Sequence, residues 1–79
     1  MDQTCSGVPQ ILADDGQGVR FTVPDCTDNF YLYYYQGEWL GTVRNAQRDG
    51  SLISISYDDD QEGGPNTEDR VPKDVHPIS

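Results

Sequence analysis

Four aromatic side chains, Tyr33, Tyr35, Trp39 and Tyr57, fall in a stretch of chain that runs directly into three carboxylates, Asp58, Asp59 and Asp60. The face of an aromatic ring is its electron-rich side, so rings grouped around a carboxylate attract a cation. A methylated ammonium enters such a pocket with less loss of hydration than a bare one, and about two to four rings with one carboxylate are enough. The same rings also suit a small core. Five tyrosines, two phenylalanines and one tryptophan exceed what a core this size takes, so some are expected at the surface.

Other chemistries find less support. The single histidine, His76, lies between Val75 and Pro77 near the end of the chain and has no neighbour in sequence that would make it a catalytic base. Cys5 and Cys26 lack an activating base nearby, and two thiols without a histidine cluster do not complete a tetrahedral zinc site. Asp58, Asp60, Glu62, Gly63 and Asp69 fall on positions 1, 3, 5, 6 and 12 of a calcium-loop template. The flanks do not fit it: a serine and isoleucine alternation enters the loop where a helix is required, and Pro65 and Pro72 interrupt the exit. No enzyme activity, metal or cofactor is expected.

The elements that position the aromatic residues read as short strands. Residues 1–7 are polar and without period, as a loose tail is, and residues 8–13 suit an edge strand because Pro9 cannot donate to a ladder. Asp14, Asp15, Gly16, Gln17 and Gly18 make a turn. Val19, Phe21 and Val23 alternate with Arg20 and Thr22, the pattern of a half-buried strand. Residues 30–35 place Tyr31, Tyr33 and Tyr35 on one face; residues 39–44 read as the returning strand, with Gly41 at a bulge. The Asp49-Gly50 pair signals a hairpin, and Ile53, Ile55 and Tyr57 alternate with Ser54 and Ser56 in the strand after it. Arg70-Val71 leaves room for a very short strand, and residues 73–75 for one turn of 3-10 helix. No helix of ordinary length is expected. The fold class is all-β: a small, partly open barrel of about five antiparallel strands. Residues 1–17 form a tail carrying the edge strand, and residues 18–79 form the barrel.

Fourteen acidic against five basic residues give a net charge of −9, which repels nucleic acid and anionic membranes and attracts basic peptides or proteins. At 79 residues, with 34% hydrophobic content and a mean hydropathy of −0.72, the core is small and any bound partner or cross-link weighs heavily in the stability. Neither a leader peptide nor an apolar stretch of membrane-spanning length is visible, so an intracellular setting, cytoplasmic or nuclear, with reduced thiols is expected. A Cys5–Cys26 bridge is the alternative for an excised domain of a secreted protein.

These residues resemble a Tudor or Agenet module of the SH3-like barrel superfamily. Val19-Arg20-Phe21 resembles its first strand, Glu38-Trp39-Leu40-Gly41-Thr42-Val43 its second, residues 52–60 its third with an acidic end, and residues 71–78 its closing strand and 3-10 turn. The acidic loop is also similar to that of tandem-Tudor readers of methylated histone tails. The resemblance implies cage rings at Trp39 and Tyr57, a looser match at Tyr35, and a carboxylate from Asp59 or Asp60. The tyrosine-rich segment 25–38 is longer than the family's usual first connection. The Trp39-Leu40-Gly41-Thr42-Val43 element is also similar to one in plasmid-borne type II dihydrofolate reductase, but that enzyme's pterin-binding stretch has no counterpart. The leading expectation is a non-enzymatic module that binds a cationic side chain, methylated or not, on a basic peptide. The alternative is a small acidic inhibitor or nucleic-acid mimic that occupies a basic groove of a larger protein. Open strand edges also allow self-association with a second copy.

Overall fold

The stretches 19–23, 30–35 and 52–57 expected as strands form strands over Gly18–Thr22, Asn29–Tyr33 and Ile53–Asp58 in the computed structural model, which describes residues 2–26, 28–58 and 69–78; Tyr34 and Tyr35 lie beyond the strand, in the turn into the next element. In chain order the elements are β1 (Asp2–Gly7), β2 (Gln10–Asp14), β3 (Gly18–Thr22), β4 (Asn29–Tyr33), α1 (Gly37–Asp49), β5 (Ile53–Asp58) and β6 (Asp74–Pro77). The strands make two three-stranded antiparallel sheets, ordered β1-β5-β6 and β2-β3-β4. The fold is thus mostly β, and among the described residues it contains no closed barrel.

The second sheet is the part whose sequence pattern is plainest. Val19, Phe21 and Val23 are buried together with Phe30 and Leu32 from β4. The turn joining β2 to β3 has Gly16 at φ 87°, a conformation that costs glycine nothing. Its two aspartates accept backbone hydrogen bonds, Asp14 from the Gly16 N–H at 3.0 Å and Asp15 from the N–H groups of Gln17 at 2.9 Å and Gly18 at 3.0 Å. β2 is the edge strand expected near Pro9, and α1 covers it: the Ile11 N–H donates to Gln47 Oε1.

The largest departure from expectation is α1, which occupies the segment read as the strand 39–44 and the hairpin after it. The helix buries Leu40, Val43 and Ala46 on one face, a three-residue spacing that a strand would split between opposite faces. Gly50 is left-handed, with φ 68°, and donates its N–H to the Ala46 carbonyl, so the Asp49-Gly50 pair ends a helix instead of turning a hairpin.

Two further expectations are corrected at the ends of the chain. Residues 2–7 are no loose tail: β1 pairs with β5 from Asp2 opposite Asp58 to Gly7 opposite Ile53. Asp2 lies 2.8 Å from Lys73 Nζ, and this hydrogen bond holds the Lys73 ammonium above its ordinary value. The thiols expected to be reduced form a Cys5–Cys26 disulfide, with Cα atoms 6.0 Å apart, that ties β1 to the loop after β3. The 3-10 turn expected at residues 73–75 is replaced by β6, which pairs with β5 and buries Val75.

The core lies where the two sheets and α1 meet. Phe30 bridges the sheets, its ring centroid 5.5 Å from Phe21 of β3 and 4.9 Å from Tyr57 of β5. Beyond β4, Arg70 adds a single parallel bridge to Phe30, giving its N–H to Asn29 and accepting from the Tyr31 N–H, both at 2.9 Å. This places the fully buried Asp69 3.0 Å from Arg20 Nε, an ion pair that relieves part of the cost of enclosing the carboxylate.

Candidate binding groove

The three tyrosines that share one face of β4 and its continuation build a column from the interior outward. Tyr31, 2% exposed, is the inner ring; Tyr33 meets it edge-on with centroids 4.9 Å apart. Tyr35 then lies nearly parallel to Tyr33, at 11° and 5.3 Å, and is 81% exposed. Both contacts are favoured arrangements for aromatic pairs, since they avoid face-to-face overlap of like charge.

Hydrogen bonding fixes the inner end of the column. The Tyr31 hydroxyl donates to the Asp15 carboxylate, 2.8 Å from Oδ2 and 2.9 Å from Oδ1. Gly18 permits the approach, because a Cβ there would stand 2.8 Å from the Tyr31 ring and 2.3 Å from the Leu32 carbonyl oxygen. The Gln17 backbone N–H and the Tyr31 hydroxyl hold Asp15 below the usual carboxylate value; Asp14 is lowered likewise by the Tyr34 hydroxyl and the Gly16 N–H. Burial, reinforced by the hydrogen bond to Asp15, pushes Tyr31 up to about 12.

Between pH 10 and 12 the unfolded chain has therefore lost the Tyr31 proton while the folded chain keeps it, so stability falls with rising pH across that window. In an ultraviolet titration one tyrosine should ionise near pH 12 and should be missing from Tyr31→Phe, whose stability should fall less over the same range. Identical high-pH curves for the two proteins would contradict the burial of this hydroxyl.

At the outer end of the column the chain turns directly into α1 and leaves an open groove of about 580 Å³, lined by Tyr35, Gln36, Gly37, Glu38 and Trp39. Gln36 steadies the turn, its Oε1 accepting from the Tyr33 N–H at 2.9 Å and its carbonyl from the Leu40 N–H at 3.0 Å. Trp39 is half-buried against the core and also lines the groove. Among the described residues the Glu38 side chain pairs with no cation.

The expected site residues thus divide. Tyr35 and Trp39 share the groove, with Tyr33 stacked behind Tyr35. Tyr57 does not join them: it is 5% exposed, edge-on to Phe30 in the core, and the cage of Trp39, Tyr35 and Tyr57 does not assemble. Asp59 and Asp60 lie outside the described residues, as do Glu62 and Gly63 of the calcium-loop template. Among the described residues the carboxylate in the groove is Glu38, adjacent to Trp39 in sequence. His76 is exposed, with Nδ1 2.8 Å from Asp74 Oδ2. Among the described residues no group of three or more His, Cys, Asp or Glu is placed to hold a metal, and no helix is long and apolar enough to cross a membrane.

The fold and groove define a small, mostly β, disulfide-linked domain with an aromatic and acidic recess at a strand-to-helix junction. Comparison with family models, with curated proteins and with solved structures finds no match to this chain.

Proposed function

We propose that the protein is a non-enzymatic binding module that takes a cationic side chain of a basic peptide in the groove formed by Tyr35, Glu38 and Trp39. The observation that carries this reading is Tyr35: a ring 81% exposed yet held in a stacked column has the form of a binding platform. Electrostatics agree in sign. The first-turn amides of α1 contribute roughly half a positive charge. The full negative charge of Glu38 outweighs it, and the net charge of −9 draws cations toward the whole surface. The Tudor-like resemblance contributes this chemistry, rings beside a carboxylate, rather than its second strand, which is α1 here. The disulfide supports residence in an oxidising compartment instead of the reducing interior expected from the sequence.

Trp39 is the single tryptophan and a built-in reporter. Titration with a short lysine- and arginine-containing peptide should change its fluorescence, and Tyr35→Ala should weaken binding about twofold to fivefold, the loss of one exposed cation–ring contact. An unresponsive Trp39 up to millimolar peptide would overturn the proposal. Salt-sensitive binding untouched by Tyr35→Ala would transfer it to the acidic-inhibitor reading, in which charge alone drives association.

A further inference from the structure

We propose, building on the groove reading above, that the cation is the guanidinium of an arginine, stacked on the free face of Tyr35 with Glu38 as its counter-ion. Tyr33 lies almost parallel to Tyr35 and offset against part of one face of the ring, and the 81% exposure of Tyr35 leaves the other face open. A flat cation continues such a column as a further ring would.

A quaternary ammonium has a different requirement. It has no N–H to donate and gains its attraction from rings that surround it. The ring that would complete the enclosure, Tyr57, is in the core, and Trp39 is half-buried beside Tyr35 on the same strand-to-helix turn. The recess is therefore a platform open to solvent. A guanidinium is planar, weakly hydrated and carries five N–H donors, so it can stack on Tyr35 and donate to a carboxylate in its own plane at once. Glu38 lines the same groove and has no cation among the described residues. A lysine ammonium satisfies Glu38 but is a compact, strongly hydrated charge that gains less from one ring face.

The test uses acetylated, amidated Gly-Ser peptides with one central residue, arginine, citrulline, lysine or trimethyl-lysine, followed by NMR on the full labelled chain. The arginine peptide should shift the Tyr35 ring, the Glu38 amide and the Trp39 indole, and bind at least about fivefold more tightly than the trimethyl-lysine or citrulline peptide. Tyr35→Ala should abolish that preference, and Glu38→Gln should bring arginine down toward citrulline. Trimethyl-lysine binding as tightly as arginine at these residues would overturn the guanidinium assignment and leave the groove reading standing. Shifts spread over the acidic surface and unchanged in Tyr35→Ala would overturn both.

Discussion

Removing the Cys5–Cys26 bridge, by reductant or by the double substitution Cys5→Ala and Cys26→Ala, is expected to lower stability by about 3 kcal/mol. The two cysteines are separated by 21 residues, and closing a loop of that length takes roughly this much conformational freedom from the unfolded chain. A domain of 79 residues has about 4–12 kcal/mol in total, so the bridge is a large fraction of what holds it folded. The melting temperature should fall by roughly 10–20 °C. The loss should also be uneven. β1 alternates exposed and half-buried residues and contributes little to the core, so its ladder with β5 and the bridge supply most of what secures it, while the exposed Asp2–Lys73 pair adds little. Circular dichroism melts with and without reductant provide the measurement: the double variant should melt low in both, and hydrogen exchange should show β1 opening first. A melting temperature shifted by less than about 3 °C would mean that the bridge adds nothing to equilibrium stability.

The same strand marks a limit of what the sequence discloses. β3, β4 and β5 were legible because Val19-Phe21-Val23, Phe30-Leu32 and Ile53-Ile55-Tyr57 each place apolar residues on one face. β1 has no such pattern; its strand form comes from pairing with β5 and from the disulfide, both of which depend on distant residues. α1 was hidden for another reason. Trp39 and Val43 fit an alternating strand as readily as a helix, and only the spacing Leu40, Val43, Ala46 separates the two. A left-handed glycine serves a hairpin or a helix end equally, so Gly50 gave no warning.

The groove was half legible on similar grounds. Residues 35–39 are consecutive, so the junction alone brings Tyr35, Glu38 and Trp39 to one recess. Tyr57 belongs to another sheet and shares the buried face of β5 with Ile53 and Ile55, so the strand alternation itself sends its ring into the core, where it meets Phe30 edge-on. A single carboxylate such as Glu38 carries less sequence signal than the consecutive Asp58, Asp59 and Asp60. Local grouping could be read from the chain; which of Tyr31, Tyr33 and Tyr35 is enclosed and which is exposed needed the fold.

Phe30 joins the two sheets through its ring, and Phe30→Ala is expected to be the most damaging single change, costing about 4 kcal/mol. Its side chain is fully buried and contacts aromatic rings from both sheets, Phe21 tilted at 34° and Tyr57 edge-on at 73°. Truncation to alanine removes the transfer free energy of a buried ring and leaves a void that two sheets tied at the disulfide and packed on α1 cannot close fully. The two lost ring contacts, each roughly 0.5–1.5 kcal/mol, are part of that loss, which falls in the middle of the usual range of about 3–5 kcal/mol for such a truncation. Against a total of about 4–12 kcal/mol the variant stands near the point of unfolding. Phe30→Leu keeps most of the volume and should cost about half as much, so it serves as the folded comparison. Urea unfolding followed by near-ultraviolet dichroism reads the effect: the midpoint should fall steeply in Phe30→Ala and moderately in Phe30→Leu, with the slope unchanged where both remain two-state. If Phe30→Ala cost less than about 1.5 kcal/mol, the two sheets would not share the core that its contacts describe.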